Sequence, residues 1–215
     1  MIPYSRQSIN EQDIEEVIKV LRSDLITQGP INKKFEEEIC SYTGSKYSVV
    51  TNSATSALHL ACLALGLGPG DTLWTSPNSY VASANVGLLC NAEVDFVDID
   101  SKTYNMCVKS LDQKLRKAEA DGKLPKIVMP VHFAGQSCDM ISIKKLAEKY
   151  GFKIIEDASH AIGGRYNGKP IGSCSFSDIV VFSFHPVKII TTGEGGSALT
   201  NDLRLSERLR LMCSH

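Results

Sequence analysis

From Tyr47 onward the chain alternates short apolar runs with helix-length segments, and this alternation restricts its fold more than any other feature. Tyr47–Thr51 reads as a strand, and Ser53–Leu65 reads as a helix closed by the turn "GLGPGD". The same alternation continues with strand 72–75, helix 80–90, strand 94–97, helix 111–120, strand 126–131, helix 140–150 and strand 153–156. Gly151 stands at the C-terminal stop of the 140–150 helix. Ile179–Phe184 and Ser197–Thr200 read as the last two strands. Strands separated by helices of about a dozen residues imply βαβ units and a largely parallel sheet. Runs such as "KIVMPV" and "DIVVFSF" are apolar throughout, as a strand covered on both faces must be. The expected fold is therefore α/β, with helices on both sides of a mixed, mostly parallel sheet.

Ahead of this core, Asn10 and Asp13 form an N-cap pattern, and Ile14, Val17, Ile18 and Leu21 recur at helical spacing over 11–23. "LITQGP" (25–30) reads as a loop. Residues 31–42 read as a second helix with Phe35 and Ile39 on one face. The division that follows is residues 1–30 as an N-terminal helix and loop, and 31–215 as the main domain. The final segment, "NDLRLSERLRLMCSH", reads as a helix that reaches the last residue without a capping glycine, so the chain is expected to belong to a longer protein.

Composition removes several function classes. A 215-residue chain with 43% hydrophobic residues has ample material for one core. Its 23 basic and 24 acidic residues leave a net charge of −1 and no basic stripe, which argues against nucleic-acid binding. The seven cysteines are odd in number and none forms a CxxC pair. That argues against a disulfide framework and a zinc site, and favours reduced thiols in a cytoplasmic protein. No leader-like apolar segment opens the chain and no apolar run approaches ~18 residues, so no membrane partner is expected.

Ligand sites of open parallel sheets lie at the carboxyl ends of strands. Three such segments carry chemistry. In "TNSATSA", Ser53, Ala54 and Thr55 open a helix directly after a strand, where unpaired N–H groups and the helix dipole favour an anion such as phosphate. Read alone, it is an ordinary Ser/Thr cap. In "IIEDASHAIG", Asp157 at a strand end needs a cationic or N–H partner, and a protonated heteroaromatic nitrogen would serve. His160 follows, suited to stacking under a ring or to proton transfer. In "FSFHPVKIITTGEGG", Lys188 stands where a buried strand gives way to a small-residue loop, and Ser183 precedes it with a hydroxyl for a phosphate. A partly desolvated lysine loses its proton more readily and becomes a nucleophile toward aldehydes. Phosphate cup, aspartate and Schiff-base lysine, in that chain order, are the anchors of pyridoxal 5′-phosphate. Tyr80 in "SPNSYVASAN" adds an aromatic that can stack on the ring.

With "TQGP", these segments make the chain similar to the fold-type I nucleotide-sugar aminotransferases of the DegT/DnrJ/EryC1/StrS type over nearly its whole length. The likeness is greatest to transaminases of pseudaminic acid biosynthesis, which act on a UDP-linked 4-keto-6-deoxy-N-acetylhexosamine. The resemblance implies a three-layer αβα PLP-transferase domain lacking its smaller C-terminal partner, L-glutamate as amino donor, and a homodimer. It implies that Lys188 and Asp157 act on the cofactor with His160 beside them, that Ala54, Thr55 and Ser183 hold its phosphate, and that Tyr80 stacks on its ring. It further implies that Tyr4, Ile26, Thr27, Gln28 and Gly29 line the sugar site. Relatives often carry proline directly after the lysine, where this chain has Ile189. Another nucleotide keto-sugar, an antibiotic sugar, or a non-catalytic fragment are the alternative readings.

Overall fold

The computed structural model describes residues 2–3 and 5–213. Tyr4, expected at the sugar site, lies outside the described residues. Two helices, α1 (Glu11–Leu21) and α2 (Pro30–Thr43), precede the alternating region. There follow β1 (Tyr47–Thr51), α3 (Ala54–Ala64), β2 (Thr72–Thr75), α4 (Ala82–Leu89), β3 (Glu93–Phe96), α5 (Val108–Ala120), β4 (Ile127–Met129), α6 (Met140–Tyr150) and β5 (Lys153–Asp157). A two-stranded hairpin of β6 (Arg165–Tyr166) and β7 (Lys169–Pro170) leads to β8 (Ile179–Ser183), β9 (Gly196–Thr200) and α7 (Leu203–Cys213).

Seven strands form one sheet in the order β1-β9-β8-β5-β4-β2-β3. β9 runs antiparallel to both neighbours, and every other pairing is parallel. The sheet is thus mixed and mostly parallel, as the alternation implies. Period-two alternation sends successive side chains to opposite faces. Ile179 and Val181 of β8 join the core beneath α3, α4 and α7, whereas Val180 and Phe182 join the opposite core with Ile39 of α2. Trp74, Val128 and Ile154 of the central strands pack on the α5–α6 side. Helices on both faces explain why these strands are apolar without interruption.

Capping follows the sequence. Asn10 and Asp13 exchange side-chain-to-backbone bonds in a capping box, and Gly151 ends α6 at φ 81°, in the left-handed region open to glycine. Helix α4 begins at Ala82, not Tyr80, because the Tyr80 carbonyl already accepts the Ser83 N–H and leaves the tyrosine ahead of the first full turn. The β6–β7 hairpin was not expected. Its signal is Asn167-Gly168, with φ of 47° and 74°, the dipeptide favoured in tight hairpin turns. Helix α1 buries none of its residues, and its apolar stripe of Ile14, Val17, Ile18 and Leu21 faces solvent. Among the described residues, no helix is long and apolar enough to cross a membrane.

Candidate active site

Because all strands of the seven-stranded sheet except β9 point the same way, the carboxyl ends of β1, β5 and β8 meet on one side of the sheet. A cavity of about 740 Å³ opens there. Its wall contains Ala54, Thr55, Tyr80, Asp157, His160, Ser183 and Lys188, all seven of the residues singled out for catalysis and cofactor binding. The other candidate loop is elsewhere: Gln28 and Gly29 line a separate cleft beside Glu36 and Arg210, and Ile26 is exposed. Neither Thr27 nor its neighbours reach this cavity within the chain.

The loop carrying Lys188 is closed by its own side chains. The Phe184 carbonyl accepts both the Thr191 hydroxyl and the Thr192 N–H, while the Phe184 N–H donates to the Gly195 carbonyl. Residues 185–190 therefore bulge from a pinned base, and Lys188 turns into the cavity. Its Nζ lies 2.5 Å from His160 Nε2. Burial lowers the pKa of Lys188, and the Asp157 carboxylate partly opposes this. His160 is also pushed down, first by burial and then by the Lys188 charge, with Asp157 again opposing.

Asp157 ends β5 and is 4% exposed. Its Oδ1 accepts from the Ser159 hydroxyl (2.6 Å) and N–H (3.2 Å), and its Oδ2 accepts from the Ser83 hydroxyl (2.7 Å). These three donors fix the orientation of the buried carboxylate. Neither serine was anticipated. Ser159 had a local signal, a hydroxyl two residues beyond an aspartate. Ser83 had none.

At the start of α3, Ser53 caps the helix by accepting the Ser56 N–H. Among the described residues, the N–H groups of Ala54 and Thr55 have no acceptor, so they remain for an anion. Gly196 brings this helix start close to the sheet. It pairs with Thr51 on one side and Ser183 on the other, and a Cβ built on it would lie 2.4 Å from the Ala54 nitrogen. Behind Asp157, its neighbour Glu156 faces away from the cavity's lysine, with Oε2 2.7 Å from Nε2 of the buried His132.

The match to known proteins covers the same span. The family model of the DegT/DnrJ/EryC1/StrS aminotransferases matches residues 7–215. The chain belongs to this family. Among DegT/DnrJ/EryC1/StrS relatives, it is 43% identical to the UDP-4-amino-4,6-dideoxy-N-acetyl-beta-L-altrosamine transaminase of Campylobacter jejuni subsp. jejuni serotype O:23/36, over 100% of this chain and 55% of that protein. It is 39% identical to the UDP-4-amino-4-deoxy-L-arabinose--oxoglutarate aminotransferase of Shewanella sediminis, over 53% of the latter. The structure of Helicobacter pylori PseC, an aminotransferase involved in the biosynthesis of pseudoaminic acid, superposes with a TM-score of 0.91 at 34% identity, covering 99% of this chain and 56% of that one. A putative sugar aminotransferase of Streptococcus pneumoniae, solved in its PLP form, gives a TM-score of 0.88 at 33% identity, with 98% and 57% covered. The chain thus spans about half the length of the family members it matches.

Proposed function

We propose that the protein of which this chain is part is a pyridoxal 5′-phosphate-dependent aminotransferase. It would act on a nucleotide-linked 4-keto-6-deoxy sugar, with L-glutamate as donor. The observation that carries the reading is the convergence of Lys188, the buried Asp157 carboxylate and the helix-start N–H groups of Ala54 and Thr55 on one cavity.

The cavity fits the cofactor in each chemical demand. A dianionic phosphate needs donors, and Ala54, Thr55 and Ser183 supply backbone N–H groups and a hydroxyl around Gly196. A protonated ring nitrogen needs a fixed anion, which is Asp157. An aldehyde needs an unprotonated amine, which the burial-lowered pKa of Lys188 favours. When bound, the cofactor supplies the electron sink for exchanging an amino group between donor and acceptor. Asp157 would face the ring nitrogen and keep its proton in place. Lys188 would be the nucleophile and then the base that moves the substrate proton, with His160 placed to share that proton with it. Tyr80, which is exposed, is the residue proposed to cover the ring face.

The pathway assignment, pseudaminic acid biosynthesis, is supported by the Helicobacter structure, and a UDP-linked 4,6-dideoxy amino sugar by the name of the Campylobacter relative. The roles proposed for Tyr4 and for Ile26 to Gly29 at the sugar rest on the family resemblance. So do the division into residues 1–30 and 31–215, a homodimeric assembly and a cytoplasmic location. The exposed apolar stripe of α1 is consistent with a second copy packing there.

The test is spectroscopic first. Adding pyridoxal 5′-phosphate should produce a yellow protein that borohydride bleaches, with the label recovered on the Lys188 peptide. A colourless chain would favour the non-catalytic reading. The longer protein should then aminate a UDP-linked 4-keto-6-deoxy-N-acetylhexosamine at the expense of glutamate, and a panel of other keto-sugars separates this from neighbouring specificities.

A further inference from the structure

Asp157 and Ser83 are 74 positions apart in the chain and in direct contact. Ser83 lies in the first turn of α4 and is 1% exposed. Ser83 donates its single hydroxyl proton to Asp157 Oδ2. The Ser83 oxygen also lies 2.9 Å from the Ser79 oxygen. With its proton committed, Ser83 can only accept in that second contact, which makes Ser79 the donor. A directed chain results: Ser79 O–H to Ser83 Oγ, then Ser83 O–H to Asp157 Oδ2. Ser79 lines the cavity beside Tyr80, so the chain runs from the cavity wall to the buried carboxylate.

Aligned hydroxyls polarise one another, and each donor on a carboxylate limits its rotation. Oδ1 is already saturated locally by Ser159. Oδ2 depends on α4. We infer that Ser83 is a positioning residue that holds the Asp157 carboxylate oriented for contact with a protonated heteroaromatic nitrogen, with Ser79 as the outer member of the chain. The inference rests on the role given to Asp157 above. Without the Ser83 hydroxyl, the carboxylate would lose its anchor at Oδ2 and turn, which weakens its hold on a ring N–H.

The experiment compares the affinity of pyridoxamine 5′-phosphate with that of its 1-deaza analogue, in which C–H replaces the ring nitrogen. Calorimetry is done on the wild-type chain and on Ser83→Ala and Ser83→Thr. Phosphate and ring are common to both probes, so the affinity ratio isolates the ring-nitrogen contact. The wild type is expected to prefer the nitrogen-containing probe. Ser83→Ala should cut that preference about tenfold or more, the size expected for a hydrogen bond to a charged group, with the deaza probe bound as before. Ser83→Thr, which keeps the hydroxyl, should restore it. An unchanged ratio in a folded Ser83→Ala protein overturns the role of Ser83 and leaves that of Asp157 standing. A wild type without preference removes the role of Asp157 and the inference with it. Should Ser83→Ala not fold, Ser79→Ala breaks the same chain at its accessible end: a lowered ratio supports the inference and an unchanged one overturns it.

Discussion

Lys188 Nζ and His160 Nε2 stand 2.5 Å apart across a cavity wall, close enough to share a single proton. Both groups are partly removed from water, and burial pushes both pKa values down. A cation on one makes a second cation on the other costly. The arrangement therefore keeps the lysine available as a free amine at lower pH than an isolated lysine allows.

That relationship gives the first prediction. Acylation of Lys188, followed by mass spectrometry, should titrate at lower pH than acylation of N-acetyl-lysine. Asp157 is the group that opposes the shift, so Asp157→Asn should move the Lys188 profile lower still. The linkage sign follows. A lysine pKa lowered in the folded state means that unfolding takes up protons between that pKa and about 10.4. Stability should rise with pH through that window, and Lys188→Met should flatten the rise. A Lys188 profile at or above that of the model compound would contradict the geometry.

Lys188→Ala should leave the fold intact, because the side chain contributes no core packing. Borohydride-sensitive absorbance in the presence of pyridoxal 5′-phosphate should disappear. Turnover of the longer protein should fall at least about a thousandfold, since the variant lacks both nucleophile and base. Absorbance that survives the substitution would point to another lysine.

Gly196→Ala tests how the anion site is built. The added methyl would meet the Ala54 nitrogen at 2.4 Å and the Ser53 carbonyl oxygen at 2.5 Å. These are backbone atoms, so α3 must move away from the sheet edge. Stability should drop by about 1–3 kcal/mol, as for overpacking elsewhere. Affinity for pyridoxal 5′-phosphate should drop more than affinity for pyridoxal, which lacks the phosphate. Equal losses for the two would show that the helix start is not the phosphate site.

His132→Ala concerns the stability of the cavity wall, to which His132 belongs. The substitution leaves Glu156, 5% exposed, with the Ser177 hydroxyl but without its imidazole partner. A loss of about 3 kcal/mol is expected in denaturant unfolding. Glu156→Gln in the same background should recover part of it by removing the uncompensated charge. A double variant no more stable than the single one would show that cavity formation, not the buried charge, sets the cost.

The parts of this protein that the sequence determined are those written in neighbouring residues. The apolar run of β8, the capping pair Asn10 and Asp13, and the stop at Gly151 are local statements about backbone geometry and burial, and the structure repeats them. Lys188, Asp157 and the α3 start were legible because each follows an apolar strand directly, and parallel strands deliver their carboxyl ends to one edge. The hairpin at Asn167-Gly168 was legible too, though unanticipated. What lies between strands was not. The insertion of β9 between β1 and β8 sets Gly196 beneath α3, and nothing in the local pattern of "GEGGSALT" specifies which strands flank it. The Ser83–Asp157 bond joins residues 74 positions apart. The separation of Gln28 and Gly29 from the cavity, and the exposure of the α1 stripe, likewise depend on where whole elements dock. Periodicity and capping report on a residue's own turn or strand. Strand order and contacts across the sheet are decided by long-range burial summed over the whole core, and only the folded chain expresses that sum.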